Sequence, residues 1–306
     1  MHGFLVIDKP LGLSSHAVVS RLRKLLQQRR IGHTGTLDPM ATGVLPVAVG
    51  EATRVIPFLN EKLKTYQATI ALGSATDTQD AEGDVIFQGP LDGVNDASVL
   101  SAIDALTGPQ EQLPPMYSAI KKNGVPLYKL ARKGQEVERK KRNITVYDWR
   151  VAEISSRQVV GTIDCSRGTY VRTLAHDLGQ LLGCGAHLTA LRRLRSGPFD
   201  IGQAMTLEAV ATCLEQQHPL PALSMLQVVE GRGSLELEKG AVTRLLDGVP
   251  PAASQVIGVL PESGDEVSLV YQGCLVGLAV YAPERTNEKR GDFELQRVFN
   301  QVRELL

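Results

Sequence analysis

Gly32-His33-Thr34-Gly35-Thr36-Leu37-Asp38-Pro39-Met40-Ala41-Thr42-Gly43-Val44-Leu45 is the stretch on which the reading of this chain turns. Three glycines and a proline in its first twelve residues predict a loop. The proline holds Asp38 away from helical conformation, and the flanking glycines let backbone or ligand approach closely. A carboxylate presented at a cleft is one reading; an ordinary Asp-Pro turn is the other, and local physics alone favours the turn.

Outward from the loop, the pattern alternates strands and helices. Upstream, residues 4–7 read as a strand ending at Lys9-Pro10-Leu11-Gly12, and Ser14 or Ser15 supplies a cap for a helix over 16–28. That helix puts Val18, Leu22, Leu25 and Leu26 on one stripe, with Arg21, Arg23 and Lys24 elsewhere. Downstream, 44–49 is a buried strand, and 64–72 alternates with Tyr66, Ala68, Ile70 and Leu72 on one face. Residues 77–96 are turn-rich, 97–106 a short helix and 113–117 extended. Asn123-Gly124 signals a hairpin, followed by a short amphipathic segment over 127–132. Strands over 147–154 and 159–165 precede a helix over 170–182, and 188–195 is a basic element, either helical or extended. A boundary falls in the punctuated region 219–233. The last 75 or so residues suit a small β-rich module, with strands at 267–271, 274–281 and 293–302 and a helix near 241–246.

A length of 306 residues predicts roughly two domains at about 150 residues each. With 43% hydrophobic and 22% charged residues the composition is ordinary for a globular chain. No apolar run is long enough to span a membrane, and the apolar start is too short for a signal peptide, so a cytosolic protein is expected. Cys165, Cys184, Cys213 and Cys274 form no C-x-x-C pair, the six histidines form no metal-binding spacing, and the phosphate-loop and dinucleotide glycine signatures are missing. Neither a metal nor a cofactor is expected.

Lys and Arg number 33, as do Asp and Glu, so the net charge is zero. The sum hides a segregation. Residues 74–120 carry eight acids and no Lys or Arg, whereas 121–150 carry ten bases against three acids. Residues 1–38 and 167–195 are basic too, and the tail from Glu230 is mildly acidic. Phosphate binding needs local rather than net charge, so a polarised surface is expected, with the bases toward a phosphate-bearing partner and the acids turned away from it.

The string from Gly32 to Leu45 resembles the catalytic motif of the TruB family of pseudouridine synthases. Supporting segments follow in order: Lys9-Pro10, Lys64-x-Tyr66, Pro114-Pro115-Met116-Tyr117-Ser118-Ala119-Ile120-Lys121 running into Leu127-Tyr128, and Cys165-Ser166-Arg167-Gly168-Thr169-Tyr170-Val171-Arg172. The resemblance covers about residues 1–210 closely and the tail more loosely, as a PUA-like RNA-binding module. It implies an α+β catalytic domain over 1–230, with a mixed, largely antiparallel central sheet flanked by helices. It further implies a basic RNA-gripping insertion at about 117–145 and a PUA-like domain over 231–306. The partner it implies is tRNA, bound through the T stem-loop, whose uridine 55 is isomerised.

By the same resemblance Asp38 is the catalytic carboxylate, Tyr66 stacks on the uracil within reach of its C5 proton, and Arg172 pairs with Asp38. Tyr170 and Leu191 line the uracil pocket, and His33 helps wedge the RNA loop open. Lys9-Pro10 is structural support near the site or a plain first-strand turn, and Lys9 and Lys121 are counted in the substrate-binding set. The chemistry suits such a site. Breaking and remaking a glycosidic bond needs a carboxylate, a dry pocket and a base, but no placed water, because the leaving base is recaptured. Glu51 and Glu61 could approach Asp38 in space, which leaves a hydrolase reading open. A non-catalytic tRNA-binding or tRNA-folding protein is the other alternative. A monomer is expected, since no coiled-coil heptads are present.

Overall fold

The computed structural model describes residues 1–229, 231–284 and 291–303. Strand β1 (Gly3–Lys9) is buried along almost its whole length. Ser14 caps α1 (Ser15–Leu25) by accepting a hydrogen bond from the Ala17 N–H at 3.1 Å, and Val18, Val19 and Leu22 form its buried stripe. Strands β2 (Ile31–His33) and β3 (Ala41–Val49) take both ends of the glycine-rich stretch, so only 34–40 remain irregular. β4 (Leu63–Leu72) alternates as its sequence predicts. Within the acidic stretch, β5 (Ser74–Thr76) and β6 (Val85–Gln88) form a hairpin, and α2 (Asp96–Ala105) follows with a reciprocal Asn95–Ser98 cap. β7 (Gly108–Gln112) leads to a basic arm made of β8 (Lys121–Lys122), β9 (Val125–Pro126) and α3 (Leu127–Ala131).

The chain then lays down β10 (Arg142–Ile154), β11 (Gln158–Ser166), α4 (Val171–Leu181), β12 (Ala186–Ser196), β13 (Phe199–Asp200) and α5 (Leu207–Glu215). The central sheet is nine-stranded, ordered β1-β3-β12-β4-β11-β10-β7, with β2 beside β3 and β13 beside β12. Only the β3–β12 contact in it is parallel, so it is mixed and largely antiparallel, as expected. Helices α1, α2, α4 and α5 cover one face, around a core that includes Ile7, Leu45, Ile70, Ile163 and Leu174.

The element at 188–195, open between helix and strand in the sequence, is the central strand β12. A bulge between Leu188 and Ala190 shifts its alternation by one residue. Leu188 and Leu191, three apart, therefore both face the core, which gives a strand the spacing of a helix. α5 is a helix not expected from the sequence pattern; Thr206 caps it.

A second sheet, ordered β15-β14-β16-β17-β18, comprises β14 (Gly233–Leu237), β15 (Val256–Ile257), β16 (Glu266–Tyr271), β17 (Cys274–Tyr281) and β18 (Phe293–Val298), with α6 (Lys239–Leu246) alongside. β18 stops four residues short of the expected end, and Val302 packs into the core of this module from a turn. The expected boundary after residue 230 falls on Glu230, which lies outside the described residues. Just before it, Leu223 exchanges backbone hydrogen bonds with Phe4 at 2.8 and 2.9 Å. The far face of β1 and β3 (Phe4, Val6, Val44, Ala48) shares one apolar cluster with Met225, Val228, Leu275, Leu278 and Phe299. The two sheets thus meet through a common core.

Candidate active site

The loop 34–40 is held from several sides. Ser15 Oγ accepts from the Leu37 N–H at 2.8 Å and donates to its carbonyl at 3.0 Å. Beneath, the fully buried Lys9 Nζ donates to the carbonyls of Pro10, Leu13 and Pro39 at 2.9, 2.6 and 3.2 Å. Burial of this amine lowers its pKa to about 8, against the pull of the nearby Asp38 charge. Arg193, also buried, donates to the carbonyls of Val44 at 2.7 Å and Gly35 at 3.4 Å. Thr34 Oγ1 donates to Glu61 Oε1 at 2.6 Å. An Asp-Pro turn so extensively tied presents its carboxylate in one place.

That carboxylate meets Arg172 at the start of α4, with Arg172 Nε 3.1 Å from Asp38 Oδ2. The spacing is that of an ion pair, although the Nε–H is not aligned for a hydrogen bond. Arg172 is itself buried and anchored through its other nitrogens: Nη1 donates to Asp80 Oδ2 at 2.9 Å and to the Thr78 carbonyl at 3.1 Å, and Nη2 donates to the Tyr117 carbonyl at 2.8 Å. Asp80 in turn accepts from Thr78 Oγ1 at 2.6 Å and the Glu82 N–H at 3.1 Å. One guanidinium therefore serves two carboxylates. Asp38 sits at the cleft, its side chain 38% exposed, with protein packed deeply around it. Desolvation raises its pKa and Arg172 lowers it, while Asp80 adds to the rise; the net direction is upward.

Two cavities adjoin at Asp38. One, of about 190 Å³, is lined by Asp38, Lys64, Tyr66, Tyr170, Arg172 and Leu191, among others. Burial pushes the Tyr66 phenol up, and the nearby Arg193 charge pulls the other way. The Tyr170 backbone is clamped by Gln112, which accepts from its N–H at 2.8 Å and donates to its carbonyl at 3.0 Å. The other cavity, of about 440 Å³, is lined by His16, His33, Asp38, Glu82, Tyr128 and Arg132, among others. His33 is held below its ordinary pKa by burial and by Arg193. Tyr66, Leu191 and Tyr170 bound the smaller cavity, and the larger continues from it on the other side of Asp38.

A family model described as "TruB family pseudouridylate synthase (N terminal domain)" matches residues 23–171, and one described as "tRNA pseudouridylate synthase B C-terminal domain" matches 172–229. A protein from Syntrophotalea carbinolica named tRNA pseudouridine synthase B is 48% identical over 98% of each chain. The chain belongs to the TruB family of pseudouridine synthases. Another relative of that name, from Geobacter sulfurreducens, is 47% identical over 98% of this chain and all of the relative. Among solved structures, a chain of "Crystal Structure of a Cbf5-Nop10-Gar1 Complex" superposes with a TM-score of 0.70 at 29% identity, over 98% of this chain and 85% of that one. A chain of "Structure of H/ACA RNP bound to a substrate RNA containing 2'-deoxyuridine" gives 0.70 at 26% identity, with the same coverage.

In this TruB-family cleft Asp38, Tyr66, Arg172, Tyr170 and Leu191 share one cavity, and His33 lies in the adjoining one. Two residues stand elsewhere. Lys9, expected among the substrate-binding residues, is fully buried and donates only to backbone carbonyls; it supports the Asp38 loop from beneath. Lys121 is exposed on the arm and lines a separate basic cavity with Arg139, Lys140 and Arg142. The acidic stretch is not wholly turned away from the site. Asp80 and Glu82 lie at the cleft, because the β5–β6 turn folds onto the start of α4 and there meets Arg172. Asp80, Gln112 and Arg193 join the site unannounced by their local sequence, since each acts across 58 residues or more. Glu51 pairs with Arg30 and Arg54, and Glu61 with Lys64, so neither is a free second carboxyl beside Asp38.

Proposed function

We propose that the protein isomerises a uridine of tRNA, the one at position 55 in the T loop, with Asp38 as the carboxylate that breaks and remakes the glycosidic bond. The observation that carries this reading is the Asp38–Arg172 ion pair at the junction of the two cavities. A base inside a stacked loop must be extruded to be reached, at a cost of a few kcal/mol. Phosphate contacts along the basic arm and His33 filling the vacated stack supply that energy. In the pocket the N1–C1′ bond breaks as Asp38 attacks or stabilises the sugar cation. The uracil turns, C5 bonds to C1′, and the C5 proton leaves while N1 regains one. Tyr66 stacks on the ring and relays the C5 proton, its phenolic oxygen taking that proton as it gives up its own. Arg172 keeps Asp38 ionised and aimed.

On this reading residues 1–230 are the catalytic domain with its arm at about 117–145, and 231–306 are a PUA-like RNA-binding domain of a monomeric cytosolic enzyme. What supports a tRNA substrate is the name shared by the relatives above. The test uses a tRNA transcript tritiated at uridine C5. Wild-type protein is expected to release tritium from position 55, and Asp38→Asn to release none. Free uracil among the products would indicate a hydrolase instead, and tRNA binding without tritium release would indicate a binding protein.

A further inference from the structure

Behind the catalytic loop lies a buried charged cluster that the mechanism above does not use. Glu61 Oε1 accepts from Thr34 Oγ1 at 2.6 Å, Lys64 Nζ at 3.0 Å and Ser196 Oγ at 3.2 Å, and Lys64 Nζ donates to Ser196 Oγ at 2.6 Å. All four side chains are buried. The cluster joins three pieces of chain. Thr34 follows His33 and opens the loop that carries Asp38. Lys64 lies two residues before Tyr66 on β4, on the same face by the period-two rule, and Ser196 is its partner across to β12.

We infer that Glu61 is a positioning residue for the reaction, setting the Asp38 loop and the Tyr66 strand in register across the uracil pocket. Through a single oxygen it binds both the loop and the strand that carry the groups on either side of the base. A purely structural role explains the cluster poorly. A buried ion pair is weak support for a fold, and apolar side chains of similar volume often do as well or better. Here the pair is placed where apolar packing would not suffice. Lys64 itself lines the cavity beside Asp38 and Tyr66. The hydroxyl of Thr34 needs an acceptor that a hydrocarbon cannot supply. The cost is visible at Lys64, whose pKa burial lowers to about 8 even against the pull of Glu61.

The inference rests on the proposed reaction, and its test compares variants with wild type. Thr34→Val removes the hydroxyl at nearly constant volume, Thr34→Ser keeps it, and Glu61→Gln keeps the shape without the charge. In single-turnover assays with saturating tRNA, Thr34→Val and Glu61→Gln are expected to slow pseudouridine formation about 10- to 100-fold, as small misplacements of reacting groups do. Their tRNA dissociation constants should stay within about twofold of wild type, because neither Thr34 nor Glu61 lines either cavity, and Thr34→Ser should run at about the wild-type rate. If Thr34→Val, folded by circular dichroism, turns over like wild type, the inference is overturned. Losses confined to melting temperature or to tRNA affinity would overturn it as well. Should Glu61→Gln fail to fold, the two Thr34 variants decide. A wild-type protein inactive on tRNA would overturn the proposed function instead, a distinct result.

Discussion

On the proposed mechanism Asp38 must be ionised, and its surroundings oppose this. Burial and the neighbouring Asp80 raise its pKa, and Arg172 and Lys9 hold it down. Since the folded value lies above the ordinary one of about 3.9, activity should rise with pH through a limb displaced upward from the usual carboxylate range. Arg172→Met removes the nearest opposite charge and should displace that limb further up while lowering the plateau. A pH profile of kcat/KM by tritium release checks this, and an unmoved limb would show that Arg172 does not set the charge state. Asp38 was legible in the sequence through the resemblance of its contiguous loop to the family motif, since local physics alone read an ordinary turn there. Asp80 was not, because one acid among the eight of residues 74–120 looks solvated until α4 brings Arg172 to it.

Among the elements, the loop 34–40 and the arm behave oppositely. The loop is clamped, and Lys9 is one of its clamps, titrating at about 8 instead of the ordinary 10.5. Below pH 8 the amine is charged in both folded and unfolded chains, and burying it costs stability. Between about 8 and 10.5 the folded protein has shed this proton while the unfolded chain keeps it, so this group's contribution to stability rises with pH. Lys64 adds a similar slope. Lys9→Met is therefore expected to flatten, not abolish, the rise of unfolding free energy across that window in denaturant titrations. The arm depends on its tip instead, where Asn123 and Gly124 both have positive φ, 51° and 81°, as a two-residue hairpin turn requires. Gly124→Val should distort the tip and raise KM for tRNA several-fold, leaving the saturated rate near wild type; a change in that rate alone would speak against a gripping role. The turn was readable from Asn-Gly, whereas β12 was not readable as a strand, because its bulge disguised the period.

For the whole molecule, the shared core decides how the second sheet behaves. Phe299 is fully buried against the β1–β3 side, and Arg54 stacks over its ring at 6.0 Å. Phe299→Ala should cost roughly 3–5 kcal/mol, as emptying a buried aromatic site does, and lower the single melting transition of the full chain. If the C-terminal module instead melted alone, with the catalytic domain unaffected, the sheets would be independent. The zero net charge likewise resolves only at this scale. Arg132 and Arg172, from basic blocks far apart in sequence, line the wider cavity, and affinity for tRNA should fall steeply with salt.

Order along the chain was enough to settle the local matters: the capped start of α1, the alternating β4, the Asn-Gly turn, and the glycine-rich loop with its one carboxylate. These depend on neighbours in the chain, whose dihedral preferences and spacing are written there. Folding in three dimensions was needed for the rest: that Arg172 is shared by Asp38 and Asp80, that Lys9 supports the loop by donating to the Pro39 carbonyl, and that the two sheets share a core. Each of these joins residues distant in sequence, and a charge becomes a partner, a support or a buried cost only when folding removes the water around it.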